Sequence, residues 1–205
     1  MKAFAYIISA VFAYFVSGLN PAIIMSKAIY KKDIRTCGSG NPGFTNFKRV
    51  FGNKYAWFVF VLDILKGAVI SVVAGLLFRA YVGSWALGVA YAGLFAMLGH
   101  AFPIYYGFKG GKGFLVCLST VWFIDWRAGA IATAVLVIML PLTKYMSLST
   151  MSALVAGAVA VAAFGGGLAV SIMYAVCVLF VIARHKQNIV RLVQGTESKF
   201  SFGKK

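Results

Sequence analysis

Long apolar stretches alternate along this chain with short polar segments. The apolar runs are Ala3–Ile24, Tyr55–Phe78, Trp85–Leu98, Phe114–Ile124, Ala128–Leu142, Met151–Phe164 and Leu168–Ala183. A helix needs about 20 apolar residues to cross a hydrocarbon core of ~30 Å, and the second run meets that length. The last four runs fall short of it, so they extend into their flanking turns or re-enter the layer. The later runs are rich in Gly, Ala and Ser, which lets helices pack closely in lipid. The pattern predicts an all-α integral membrane protein of about seven transmembrane helices. It shows no internal repeat and no low-complexity linker, so residues 1–205 read as one domain.

Charge sets the expected orientation. Most of the 20 Lys and Arg residues fall in Lys27–Lys54, His100–Gly113, the neighbourhood of Lys144, and Arg184–Lys205. The breaks between them, at Arg79–Ser84, Asp125–Arg127 and Gly165–Gly167, carry little positive charge besides Arg79 and Arg127. Positively charged short loops stay cytoplasmic. That asymmetry predicts an N-terminus outside and a cytoplasmic C-terminus, with Lys144–Ser149 as an inner turn. Five spans satisfy it as well as seven, because removing one hairpin keeps the tail on the same side. Lys2 followed by Ala3–Val16 resembles the start of a signal peptide, but no Ala-x-Ala site follows. Cleavage there would also leave the basic Lys27–Lys54 segment outside, so an uncleaved first span is expected.

Composition narrows the chemistry. At 61% hydrophobic and 12% charged residues, too little polar surface exists to cover a soluble core. The net charge of +16 fits cytoplasmic loops facing anionic lipid better than nucleic acid. Asp33, Asp63, Asp125 and Glu197 are the whole acidic set, too few in any one place for paired-carboxylate hydrolysis or a carboxylate-held metal. Cys37, Cys117 and Cys177 are scattered, with neither zinc spacing nor the look of a disulfide framework. Asp63 and Lys66 lie three apart on one helical face of the second run and can pair there as a support for the site.

The polar segments hold three clusters. Asp33–Arg49 contains Gly38, Gly40 and Gly43 in a formal G-x-G-x-x-G, but the strand and βαβ unit of a dinucleotide fold are missing. What remains is a backbone able to turn its N–H groups onto an anion. Ser39, Thr45 and Asn46 add donors, and Arg49 offers phosphate a bidentate fork. The second cluster runs from Gly99-His100 to Lys109-Gly110-Gly111-Lys112-Gly113. It lacks the P-loop spacing, yet places two lysines in a glycine-rich turn opening an apolar helix. His100 alone reads as a helix-terminal structural residue. In the third, Arg184–Glu197, His185, Asn188 and Arg191 share one face if the segment is helical. Lys144 with Ser147 and Ser149 forms a smaller fourth cluster. Several donor-rich loops with few carboxylates suit a substrate bearing more than one anionic group. No Ser-His-Asp arrangement can be assembled, so positioning and electrostatic stabilisation would carry the catalysis.

The segments DIRTCGSGNPGFTNFKRVFG, GHAFPIYYGFKGGKG and RHKQNIVRL, in that order, resemble the bacterial acyl-phosphate:glycerol-3-phosphate acyltransferases of the PlsY type. KYMSLS and LDILKG look like lesser signatures of the same family, and the matches run from Asp33 to Glu197. The resemblance implies transfer of a fatty acyl group from acyl phosphate to the 1-hydroxyl of glycerol 3-phosphate. The products are lysophosphatidic acid and inorganic phosphate, and neither metal nor other cofactor is implied. It implies a multi-pass protein of the bacterial inner membrane with a cytoplasmic site, supplied by the enzyme that makes acyl phosphate from acyl carrier protein. By motif position, Ser39, Asn41 and Arg49 bind phosphate, with Thr45 and Asn46 shaping the loop. Lys112, with Lys109, Gly110 and Gly111, meets a phosphate through the glycine turn. Ser149, His185 and Asn188 complete the substrate pocket. Arg49, Lys112 and His185 are the expected catalytic residues. Family mechanism favours substrate assistance, the substrate phosphate taking the hydroxyl proton, and His185 is the competing base. Phe44 and Phe114-Leu115 stand where the family usually has small residues.

Two other readings compete. A transporter of phosphate or a phosphorylated metabolite also suits basic clusters among helices, but the clusters lie on one inferred side and no inverted repeat is visible. A structural protein binding anionic lipid leaves the Gly-Ser-Asn and His-x-x-Asn patterns without a purpose.

Overall fold

The computed structural model describes residues 1–164 and 166–201, and the described residues contain helices and no strand. Gly165, part of the expected outer turn, lies outside them. The helices are α1 (Lys2–Gly18), α2 (Pro21–Tyr30), α3 (Phe44–Phe51), α4 (Asn53–Tyr81) and α5 (Trp85–Ala101). They continue with α6 (Phe114–Ile124), α7 (Trp126–Thr143), α8 (Met146–Ala163), α9 (Leu168–Arg184) and α10 (Lys186–Val193).

Local chemistry explains the breaks. Asn20 divides the first apolar run between two helices by capping the second: its Oδ1 accepts from Ile23 N at 3.0 Å, and Pro21 needs no hydrogen bond at the first helical position. The basic stretch after it is not a plain loop, since it contains the end of α2, a 3-10 turn at Ile34–Thr36 and all of α3. Ser84 caps α5 through Leu87 N, and Asp125 caps α7 through Arg127 N at 2.8 Å.

Helices α1, α4 and α5 pack together on one side, while α7, α8 and α9 follow one another on the other. Helix α6 lies between them and touches α4, α5, α7, α8 and α9. Its residues from Leu115 to Val121 are buried without interruption, as in a helix enclosed on every face. Close approaches need absent side chains: a Cβ on Gly99 would lie 2.1 Å from the Tyr14 carbonyl oxygen of α1.

Polarity is inverted relative to a soluble protein. Ser9, Ser17, Asn20, Asp63, Lys66, Ser71 and His100 are buried, whereas Ile7, Val11, Leu62, Leu65, Val69, Leu76, Val137, Ile138, Ile172 and Leu179 are exposed. Lipid is the solvent that makes such a surface stable. Among the described residues, five helical stretches are long and apolar enough to cross a membrane: Lys2–Tyr30, Asn53–Tyr81, Trp85–Tyr106, Trp126–Thr143 and Met146–Ala163. A sixth appears if α9 and α10, bent by 59°, count as one. The eleven residues of α6 extend only about 16 Å, half the hydrocarbon thickness.

Candidate active site

A cavity of about 560 Å³ opens where α3, the turn before α6, the α7–α8 junction and α10 converge. One part is polar, lined by Ser39, Asn41, Thr45, Asn46, Arg49, Lys112, Ser147, His185, Asn188 and Arg191. Among these the lining also carries a set of large apolar side chains, Phe44, Trp57, Phe60, Leu115, Leu136 and Leu140. A site of this kind has a seat for an anion and a wall for a hydrocarbon.

The glycine-rich loop is shaped from within. Buried Asn46 accepts from Ser39 N at 2.9 Å and donates from Nδ2 to the Cys37 carbonyl at 2.9 Å. Its amide is therefore committed to the loop, and Ser39 is left exposed at the tip. Gly38 sits at φ +58°, where any Cβ would also run into Asn46 Oδ1. Arg49, one turn further along α3, is exposed and makes no hydrogen bond or ion pair among the described residues. A guanidinium left uncommitted at a cavity wall is ready for an external anion.

The second turn is clamped by two elements. Gly110 N and Gly111 N donate to the Ala101 and His100 carbonyls, each at 3.0 Å. Arg184 donates to the carbonyls of Gly110 and Gly111 at 3.3 and 3.2 Å. Gly111 therefore faces protein, a Cβ there lying 2.3 Å from His100 Nε2. Lys112 projects into the cavity and bonds Asn188 Oδ1. Burial pushes the Lys112 ammonium down to about 8, with the Glu197 carboxylate opposing the shift and Arg191, Arg184 and Arg49 adding to it. Lys109 and Gly110 instead line a separate hollow with Asp33, Arg35 and Tyr106.

His185 occupies the break between α9 and α10 and is buried. Its Nδ1 lies 2.8 Å from the Val181 carbonyl oxygen. A carbonyl can only accept, so Nδ1 carries the proton and the neutral ring keeps Nε2 as an acceptor. Asn188 and Arg191 follow at the expected helical spacing, and all three line the cavity. Ser149 does not: it is fully buried and its Oγ donates to the Tyr145 carbonyl at 2.9 Å. Two positions earlier, on another face of α8, Ser147 lines the cavity in its place.

Sequence reasoning left Glu197 without a role. The tail returns across the cavity, and this carboxylate accepts from Ser147 Oγ at 2.7 Å, Asn188 Nδ2 at 2.6 Å and Arg191 Nε at 2.7 Å. Burial raises its pKa, but these bonds outweigh that and leave it below its ordinary value. Further along, Phe200 N donates to the Lys144 carbonyl at 2.6 Å and Lys48 Nζ to the Ser201 carbonyl at 2.7 Å. The scarcity of acids was the available signal. Each of the four is ion-paired, with Arg35, Lys66, Arg127 or Arg191. Nothing in the sequence pointed to Phe200.

Known proteins resemble this chain in sequence and in fold. Residues 7–195 match the family model described as glycerol-3-phosphate acyltransferase. The chain is 38% identical over 189 residues to the glycerol-3-phosphate acyltransferase of Francisella philomiragia subsp. philomiragia, covering 92% of this chain and 90% of that protein. It is 37% identical over 193 residues to that of Thermoanaerobacter pseudethanolicus, covering 94% of each. Among solved structures, the glycerol 3-phosphate form of PlsY, an integral membrane glycerol 3-phosphate acyltransferase, superimposes with a TM-score of 0.88 at 30% identity over 96% of both chains. Its lysophosphatidic acid form gives 0.84 at 29% identity, covering 96% of this chain and 95% of that one.

Proposed function

The chain belongs to the glycerol-3-phosphate acyltransferase family, and from that premise we propose that it transfers a fatty acyl group from acyl phosphate to the 1-hydroxyl of glycerol 3-phosphate. The observation that carries this reading is the mixed lining of one cavity, where Arg49, Lys112, His185 and Asn188 stand with Phe44, Trp57, Phe60, Leu136 and Leu140. Two phosphates and one hydrocarbon chain are what such a cavity accommodates.

In this mechanism Arg49 and the Ser39 loop hold one phosphate, and Lys112 draws the other against the Asn188 amide. The 1-hydroxyl oxygen attacks the carbonyl carbon of the mixed anhydride. Lys112 and Arg49 stabilise the oxyanion and the departing phosphate. Collapse breaks the carbon–oxygen bond to phosphate, releasing inorganic phosphate and lysophosphatidic acid. The hydroxyl proton goes to the substrate phosphate, whose second pKa near ~6 suits that task. The free Nε2 of His185 supports a second route, in which the imidazole takes the proton first. Gly110 and Gly111 serve by shaping the turn, and Asn46 and Ser149 by holding their own segments. Lys109, in its separate hollow, steers anions inward. The basic ends of the helices face the cytoplasm in this reading, with seven apolar segments in the bacterial inner membrane and α6 as the enclosed one.

The purified chain, given palmitoyl phosphate and glycerol 3-phosphate, should release phosphate and lysophosphatidic acid in equal amounts, with acyl-CoA inert. Phosphate release without the lipid would make it a hydrolase. Uptake of labelled glycerol 3-phosphate into sealed vesicles with no acylated product would make it a transporter.

A further inference from the structure

One buried group beneath the cavity takes no part in the chemistry above. Lys66 lies within α4, far from either helix end, yet its ammonium is fully engaged. Its Nζ lies 2.7 Å from Asp63 Oδ1, 3.0 Å from His100 Nδ1, 3.0 Å from the Ser17 carbonyl and 3.1 Å from the Leu19 carbonyl. Its three protons go to the two carbonyls and to His100 Nδ1, and Asp63 completes the set as an ion-pair partner. Because an ammonium only donates, His100 Nδ1 must accept, and the proton of the neutral ring is on Nε2. The two carbonyls are orphans at the end of α1, the kind of group that otherwise needs water or a cap.

Two of these contacts lead to different loops of the cavity wall. From Leu19 the chain passes to Asn20, whose Oδ1 caps α2 and whose Nδ2 donates to the Pro42 carbonyl at 3.1 Å. Pro42 immediately precedes Gly43, the N-cap of α3, the helix that carries Arg49. On the other arm, the His100 carbonyl accepts from Gly111 N at 3.0 Å, next to Lys112. The arms meet again, since the Cβ position of Gly111 is 2.3 Å from His100 Nε2 and 3.1 Å from the Pro42 carbonyl. A contact network confined to stability would not need to join the loops that carry the two cations.

We propose that Lys66 is a positioning residue for acyl transfer, holding the Gly38–Gly43 loop and the Lys109–Gly113 turn in register so that Arg49 and Lys112 address one substrate pair. The proposal rests on the acyltransferase reading. Displacing catalytic groups by about 1 Å can cost on the order of 100-fold in rate. Removing the ammonium alone would leave the Asp63 carboxylate buried and unpaired, so the pair is neutralised together.

The test is the double variant Asp63→Asn/Lys66→Met, assayed with palmitoyl phosphate and glycerol 3-phosphate beside its melting temperature. The expected result is a folded protein whose kcat falls by about 30- to 100-fold with a raised KM for glycerol 3-phosphate. Wild-type kcat and KM in the folded fraction, even at reduced yield, would overturn the proposal, because that is the signature of a purely structural ion pair. If the double variant does not fold, Asn20→Ser decides. It keeps an oxygen to cap α2 and removes the amide that reaches Pro42. A fall in kcat of about tenfold at an unchanged melting temperature supports the proposal, and unchanged kinetics overturn it. Absence of product from the wild-type chain would overturn the acyltransferase reading itself and the proposal with it.

Discussion

The Lys112 ammonium makes the site sensitive to pH in a calculable way. A lysine on a solvated surface titrates near ~10.4, but burial holds this one at about 8. The group is depressed, so its charge is present below pH 8 and lost as pH rises through that value. With a pKa of about 8, about 90% of Lys112 is charged at pH 7 and about 10% at pH 9. If the charged form is required, kcat/KM for glycerol 3-phosphate falls about tenfold across that interval, because this quantity reports groups of the free enzyme. Bound phosphate favours the ammonium, so the corresponding limb in kcat lies at higher pH. The assay measures lysophosphatidic acid from palmitoyl phosphate and labelled glycerol 3-phosphate, corrected at each pH for spontaneous hydrolysis of the anhydride. In Lys112→Arg, whose guanidinium keeps its charge through pH 9, any residual activity loses the alkaline limb. A profile flat to pH 9.5, or a limb that survives in Lys112→Arg, would refute the assignment.

Three further outcomes follow from the geometry. Arg49→Ala should lower kcat/KM by about 100-fold while leaving the melting temperature unchanged, because Arg49 makes no hydrogen bond or ion pair among the described residues; near-normal turnover would remove it from the site. Glu197→Ala should lower stability by about 1–3 kcal/mol, since it strips Ser147, Asn188 and Arg191 of their shared acceptor, and thermal unfolding in detergent measures it. Gly99→Leu should cost at least about 1–3 kcal/mol by forcing α1 from α5, where even a Cβ meets the Tyr14 carbonyl oxygen at 2.1 Å, and a wild-type melting temperature would contradict that contact.

The residues on the cavity wall were legible to different degrees, and the reason is physical. Arg49, Lys112, His185 and Asn188 announce themselves because donors and cations clustered among glycines have few structural uses in a membrane chain. Ser149 was misplaced by two positions because KYMSLS offers two serines, and only the helical phase of α8 decides which of them lines the cavity. Asn46 looked like a possible ligand but is spent inside its own loop. Lys109 and Lys112 were indistinguishable as neighbours in a glycine turn, yet the Arg184 clamp and the Gly111–His100 contact send them to different hollows. Glu197 reaches its partners only because the chain reverses after α10, and no local pattern encodes that return.

Helix α6 carries the same lesson at the level of the fold. Counting apolar residues treats every helix as though it must meet lipid on its own, so an eleven-residue run looks like a span cut short. A helix surrounded by five others has no such requirement, because its length is set by the layer of protein around it. Its burial from Leu115 through Val121 also explains why the turn before it can carry Lys112 so close to apolar surroundings. The ammonium sits at the N-terminal approach of an enclosed helix, where its charge is weakly solvated but the cavity remains open to an anion. The depressed pKa of Lys112 follows from that weak solvation, which the nearby Glu197 carboxylate only partly offsets.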